Sequence, residues 1–444
     1  MSLFNISDGK TSYWNNRDKI ILRFFIIFFL VQIIPLDWKF YRDLFNIDST
    51  GFNFYYFFRI AGYYTRFFGI EGFGNWIIAA VCALAGTLFW TYREKKSVNY
   101  DILYYWLRVI LRYRLAIGVI AYGLIKLFPL QMPYPSLSNL HTNYGDFYAW
   151  KIYFHTLGVA QGYEIFLGAV EVSAGILLLF RKTTTFGAGI ILGFTGNVFA
   201  ANIAYNMGEQ VYSAHLLSIA LFLFAYDVPR LYRLLVEGKF TQANRFKPSF
   251  NKKQIANTRK ILKSAVVLFV LVLSITTYAN YISGPYKYPT SAGLKGAYGF
   301  YNVREFRLNN HTIPYSVTDP DRWQNVVFEQ WATLSIKTAK PIMIDDSNGD
   351  VYNKKDADRN FESAGVGGRR YYAYSIDSSN HSLLLQNKNK NYTGEKYALT
   401  YSFANDSTII LQGTNEKNDS VYAVLDRITK KYLLQEGRRK RVKL

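Results

Sequence analysis

Glu164 and Glu171 stand seven residues apart in a stretch that is otherwise apolar. Seven residues make two helical turns, so on a helix both carboxylates project from one face. Other polar side chains interrupt the neighbouring apolar runs: Lys126 and His155 upstream, then Asn197, Asn202, Ser213, His215 and Asp227. A polar group in an apolar helix is expensive to keep against lipid and turns toward a protein interior or a wet cavity. Two kinds of chemistry suit this set. Carboxylates, amides, an ammonium and imidazoles gathered in one place could bind a quinone head group or pass protons. The same groups could instead tie helices together through interhelical hydrogen bonds. We take Lys126, His155, Glu164, Glu171, Asn197, Asn202 and His215 as the candidate ligand-binding residues, and assign no catalytic residue. Arg114, Arg181 and Asp227 are read as structural or interface residues, with the long basic chains reaching for a polar boundary. Gly168 and Gly175, also seven apart, read as a strip for close helix packing.

Several chemistries are set aside by the same inspection. The five histidines show no His-x₃-His or His-Glu-x-x-His spacing, so no metal is expected. The single cysteine, Cys82, forms neither an internal disulfide nor a Cys-x-x-Cys centre and reads as a small buried hydrophobe. Asp345, Asp346, Asn348 and Asp350 lack the ligand order of a calcium loop and read as a hairpin turn. Gly365, Gly367 and Gly368 are not followed by Lys-Ser/Thr and make no phosphate loop.

The elements that must position these residues come from hydropathy. Seven stretches are apolar and nearly long enough to cross a ~30 Å hydrocarbon layer at about 1.5 Å per residue: 20–37, 74–92, 104–130, 162–180, 185–205, 211–226 and 261–281. Residues 54–73, aromatic but carrying Arg59, Arg66 and Glu71, are expected to lie along an interface, with an eighth span as the alternative. From residue 284 onward the pattern changes to period-two alternation. Eight short strands are expected at 299–308, 323–328, 333–337, 370–376, 382–386, 397–403, 408–412 and 420–427, forming a small antiparallel barrel or sandwich.

The formal net charge of +21 would suggest nucleic acid in a soluble chain, but no recognition module is present and no nucleic acid is expected. Much of that charge falls in loops beside apolar stretches. Lys10, Arg17 and Lys19 precede the first, Arg93, Lys95 and Lys96 follow the second, Arg181 and Lys182 follow the fourth, and a long basic run joins the sixth and seventh. Lys39, Arg42, Arg59 and Arg66 break this pattern. Counted over the other loops, the positive-inside rule puts the N-terminus in the cytoplasm and the β-domain on the far side. The expected organisation is 1–102, a membrane region with two spans and an interfacial segment; 103–235, a four-helix membrane unit; 236–282, a basic connection and last span; and 283–444, the outer β-domain.

The runs YRLAIGVIAYGLIKLFPLQMPYPS, GYEIFLGAVEVSAGILLLFRKTTTFGA, GNVFAANIAYN and YSAHLLSIALFLFAYDVPRL resemble the DoxX-like membrane proteins, four-helix units related to the DoxD subunit of a thiosulfate:quinone oxidoreductase. The resemblance covers roughly residues 103–235, with Gly123, Lys126 and Pro129, Glu164 through Glu171, Arg181, and Asn197 with the helix to Asp227 as its most telling elements. It implies a multi-pass protein of a bacterial inner membrane, in a long form whose periplasmic β-domain is loosely lipocalin-like. Two functions follow as expectations: a quinone-linked oxidoreductase component whose outer domain receives a partner or substrate, or a non-enzymatic envelope scaffold. The implied partners are the lipid bilayer and an envelope protein. With Cys82 as its one thiol, the chain departs from the thiol-linked relatives of that family.

Overall fold

The structure, a computed structural model, describes residues 14–36, 38, 40–41, 54–67, 72–94, 99–242, 253–284, 289–345 and 368–436. In chain order the helices are α1 (Asn16–Ile33), α2 (Phe54–Ala61), α3 (Gly74–Arg93), α4 (Tyr100–Leu127), α5 (Leu137–Leu140), α6 (Ala149–Gly158), α7 (Gln161–Leu179), α8 (Thr184–Ala204), α9 (Gln210–Ala225), α10 (Val228–Leu235), α11 (Lys253–Ser283) and α12 (Leu433–Glu436). The chain divides into two compact, discontinuous units: Met1–Phe128 with Ile165–Ala279, and Pro129–Glu164 with Asn280–Leu444. Asp346, Asn348 and Asp350 of the expected turn, Gly365, Gly367 and the tail 438–444 lie outside the described residues. So do Lys10, Lys39, Arg42, Lys95, Lys96, Arg245, Lys247 and Lys252.

The first unit is helical, and its helices begin and end where local chemistry dictates. Asn15 caps α1 by accepting from the Asp18 amide at 2.8 Å, and Asn99 caps α4 by accepting from Ile102 at 3.2 Å. At its far end α1 stops before Pro35, with Ile34 already extended, four residues short of the expected end at 37. Pro229 lies in the first turn of α10, which leaves α9 at a bend of 61°. Each of the seven apolar stretches is a helix. Four helical segments among the described residues are long and apolar enough to cross a membrane: Gly74–Arg93, Gln161–Leu179, Arg181–Ala204 and Lys260–Ser283. The bent pair α9–α10 makes a fifth if it counts as one span. Charge sets α1 and α4 apart from these four: α1 carries Arg17, Asp18, Lys19 and Arg23, and α4 carries Asp101, Arg108, Arg112, Arg114 and Lys126. Part of that charge is used inside the protein, since Arg23 donates to the Tyr100 hydroxyl at 2.9 Å and pairs with Glu94. Helix α2 has only eight residues, about 12 Å, and 62–66 are not helical, so no single helix runs through 54–73.

The second unit holds nine antiparallel strands: β1 (Gly299–Leu308), β2 (His311–Thr312), β3 (Asn325–Phe328), β4 (Thr333–Lys337), β5 (Arg369–Asp377), β6 (Ser382–Asn387), β7 (Lys396–Asn405), β8 (Thr408–Asn415) and β9 (Ser420–Arg427). Eight of them close, because β1 pairs with β9 from Tyr301↔Arg427 to Leu308↔Val421, while β2 is a two-residue flap. The result is a barrel, which removes sheet edges, rather than a sandwich. Asn309 and Asn310, both at positive φ, make the tight turn into β2. The period-two pattern has a direct outcome in packing. Tyr301, Phe306, Trp323, Phe328, Leu334, Tyr372, Leu385 and Leu411 point inward and fill the barrel as one core, so the interior is packed in the manner of small eight-stranded barrels.

The outer face of β3–β5 is polar and covered. Leu334 and Ile336 face in, so their neighbour Ser335 faces out, and its exposure is nevertheless zero. The cover is Pro129–Glu164, the other piece of this unit. The Glu329 carboxylate accepts from the Leu137 amide at 3.2 Å, the Ser138 amide at 2.8 Å and the Ser138 hydroxyl at 2.6 Å. Ser138 Oγ also meets Ser335 Oγ at 2.7 Å, and Arg369 donates to Ser335 at 3.1 Å, Asn325 at 2.6 Å and the His141 carbonyl at 3.3 Å. The His141 ring stacks on Phe300 at 3.6 Å and meets the Tyr432 hydroxyl at 2.6 Å.

Candidate functional site

The residues expected to form one polar site are distributed among separate local bonds. In the helical unit, Lys126 Nζ of α4 lies 2.7 Å from both oxygens of Glu171 on α7, and both side chains are buried. The helices come this close because Gly168 has no Cβ; one built there would lie 2.2 Å from the Leu127 amide nitrogen. His215 of α9 is buried, with Nδ1 3.0 Å from the side-chain oxygen of Gln32 on α1. Beside them is a cavity of about 10 Å³ lined by Thr65, Asn75 and Trp76 among others. That space suits one water and no larger ligand. The Nε2 atoms of His215 and Gln32 have no hydrogen-bond partner among the described residues. Asn202 donates to Ser213 Oγ at 3.1 Å, Asp227 accepts from the Thr185 hydroxyl, and Asn197 is exposed.

Glu164 and His155 belong to the second unit. Glu164 is fully buried and accepts from the Met132 amide at 3.0 Å. His155 packs edge-on against Phe147 at 4.9 Å, and burial, helped by the Lys151 charge, pushes its pKa down to about 3. Burial also lowers His141 to about 4, with Lys430 and Arg369 adding to the effect.

A much larger concavity than the one beside His215 lies elsewhere. A cavity of about 990 Å³ opens in the helical unit along α4, between the ends of α1 and α2 and the N-terminal half of α11. Most of its wall is apolar or aromatic, including Trp106, Ile110, Ile117, Leu262, Val266 and Phe269. Five cationic residues also line it, Arg108, Arg112, Arg114, Arg181 and Lys263, with no carboxylate among the described lining residues. Arg114 is committed to structure: it donates to the Ala61 carbonyl at 2.6 Å and to Tyr63, satisfying carbonyls that the end of α2 leaves open. Arg108 lies over the Tyr226 ring, 3.2 Å from its centre. Arg112 is only 8% exposed. The Nε atoms of Arg108 and Arg112 are buried without a hydrogen-bond partner among the described residues. Arg181 and Lys263 are exposed, at the rim.

The cavity has two ends. Along α4, Ile117 follows Arg108 by nine residues, about 14 Å; along α11, Phe269 follows Lys263 by six, about 9 Å. On α4 the cations run from Arg108 to Arg114 and the lining ends on Ile117, while on α11 the apolar lining continues past Lys263 to Phe269. In the sequence Arg108 and Arg112 read as part of an aromatic, basic start of the third span, and neither they nor Lys263 were given a ligand role. A signal was present: Arg108 and Arg112 are four apart, so they share a face of a long apolar helix.

No family model matches the chain. Over 79 residues it is 32% identical to the uncharacterized protein YwoB of Bacillus subtilis (strain 168). That match takes in 18% of this chain and 49% of YwoB, so the chain spans about half the length of this relative. No solved structure matches.

Proposed function

We propose that this chain is an integral membrane protein whose helical unit binds an amphiphilic small molecule in the arginine-lined cavity. The carrying observation is the cavity itself, a mostly apolar chamber of about 990 Å³ lined also by five cationic residues. That volume is at the upper end of ordinary small-molecule sites. Insertion in a bilayer is supported by the four long apolar helices and by the stripe Ile77, Val81, Leu84 and Leu88, which leaves one face of α3 between 57% and 72% exposed. An apolar stripe of that kind on a soluble protein would be an aggregation hazard. The inner-membrane location, cytoplasmic N-terminus and periplasmic β-unit rest on the basic loops and on the DoxX resemblance. With a filled interior, the barrel serves through its outer surface, as a docking or stabilising module for an envelope partner.

The test is the content of the cavity. Full-length protein purified in mild detergent should retain an amphiphile, identified by mass spectrometry of the extract, and Val266→Trp should displace it while the protein still folds. Absence of any retained or displaceable amphiphile would sink the proposal. Retention of a quinone, lost on Glu171→Gln, would favour the quinone-linked reading instead.

A further inference from the structure

We infer that α10 lies along the membrane surface, with its apolar face in the upper acyl layer and its basic residues against anionic phosphate head groups. The inference rests on the bilayer reading and adds to it a surface for charged lipid. Spacing gives the helix two faces. At about 100° per residue, Leu231, Leu235, Val228, Tyr232 and Val236 follow one another round a single arc, and Arg230 and Arg233 fall opposite. No residue of α10 is buried, and Val228, Tyr232, Leu235 and Val236 are between 44% and 76% exposed. Gly238, at positive φ, then stops the helix, with the Lys239 amide donating to the Arg233 carbonyl at 2.9 Å.

Position decides what covers the apolar arc. The Thr185 hydroxyl, at the start of α8, donates to Asp227, the residue that joins α9 to α10. Arg181–Thr183 links α7 to α8, two helices long and apolar enough to cross, so this link lies at a face of the bilayer and Asp227 lies level with it. From that level α10 leaves α9 at a bend of 61°. Three courses are open to it. Pointing into water, it would expose an apolar stripe. Turning back into hydrocarbon, it would carry Arg230 and Arg233 away from water at a cost that lipid does not repay. Lying flat meets both demands, which is how an amphipathic basic helix behaves at an interface.

Charge selects the lipid. Residues 227–260 hold nine Lys and Arg against Asp227 and Glu237. Asp227 already meets Thr185, and Glu237 pairs with Lys239 at 3.0 Å. The excess favours anionic over zwitterionic head groups, and guanidinium forks suit phosphate oxygens.

The test compares labelling rates in lipid discs, where both membrane faces are open to solvent. Full-length protein in a Cys82→Ala background would carry Tyr232→Cys, Leu235→Cys, Arg233→Cys or Leu84→Cys, in discs of phosphatidylcholine alone or mixed with phosphatidylglycerol. With phosphatidylglycerol present, an impermeant maleimide should label Tyr232→Cys and Leu235→Cys at least about tenfold more slowly than Arg233→Cys. In phosphatidylcholine alone the gap should narrow to about threefold, and Arg230→Gln with Lys239→Gln should narrow it similarly in the anionic discs. Equal rates on the two faces overturn the inference, as does slow labelling of Arg233→Cys, which would put the helix inside the hydrocarbon. A gap of the same size in both lipids overturns the choice of an anionic surface. Leu84→Cys, on the exposed stripe of α3, should stay unlabelled throughout; rapid labelling there would instead remove the bilayer reading itself. The lipid comparison uses one and the same variant, so a folding defect cannot produce the difference.

Discussion

Lys126 and Glu171 form a buried ion pair that joins α4 to α7. Both were recognisable as charges that lipid would penalise, but not as each other's partner, because 45 residues and an intervening segment separate them. A buried pair with both oxygens within 2.7 Å of Nζ is a packing device as much as a chemical one. Glu171→Gln should strand the ammonium and lower stability by roughly 3–5 kcal/mol, while Lys126→Met with Glu171→Leu should return most of it. Thermal unfolding in detergent of the single and double variants checks this; a Glu171→Gln protein as stable as the parent would refute it. Gln32, the partner of His215, was missed for a similar reason. Its type is unremarkable in a sequence, and only packing reveals that it faces an imidazole.

Elements were more legible than contacts. All eight principal strands occur at their expected places, since alternation of apolar and polar residues is imposed by a sheet with one filled face. Apolar runs likewise located the long helices. The segment 133–151 falls between two of the expected spans with no element assigned to it, because short helices such as α5 leave no periodic trace and the polar outer face of β3–β5 looks solvent-facing until its cover is seen. That cover carries two half-buried histidines, His141 and His155, with pKa values lowered to about 4 and about 3. In the unfolded chain each would titrate near 6.5. Their burial therefore costs nothing above pH ~6.5, where both states are neutral, and destabilises the folded form progressively as pH falls toward 4. Allowing for their partial exposure, the loss by pH 5 should be on the order of 1 kcal/mol per histidine. Amide protection within 129–164, corrected for intrinsic exchange, should drop between pH 7 and pH 5, and His141→Gln should lessen the drop. Unchanged protection would contradict this account.

At the scale of the whole molecule, if the chain spans a bilayer as proposed, the hydrogen bonds between Ser138 and Glu329 constrain how it can be threaded. The two residues belong to one folded unit, so they must emerge on one side of it. Between them lie α7, α8, the bent pair α9–α10 and α11. Only an even number of crossings returns the chain to its starting side. If α7, α8 and α11 each cross, the bent pair must cross as well, although α9 alone has only 16 residues. Parity, rather than hydropathy, then decides the span that composition leaves ambiguous. On that condition residues 205–209 are expected on the bilayer side from which the chain entered α7, and Arg181–Thr183 on the opposite side, independently of any rule about charge. In a Cys82→Ala background, an impermeant thiol reagent should reach Met207→Cys from the same side as Lys417→Cys, and Lys182→Cys only from the other. A single shared side for all three would mean that neither α7 nor α8 crosses, whereas Lys239→Cys reached from the barrel's side would mean that the bent pair enters the membrane and turns back.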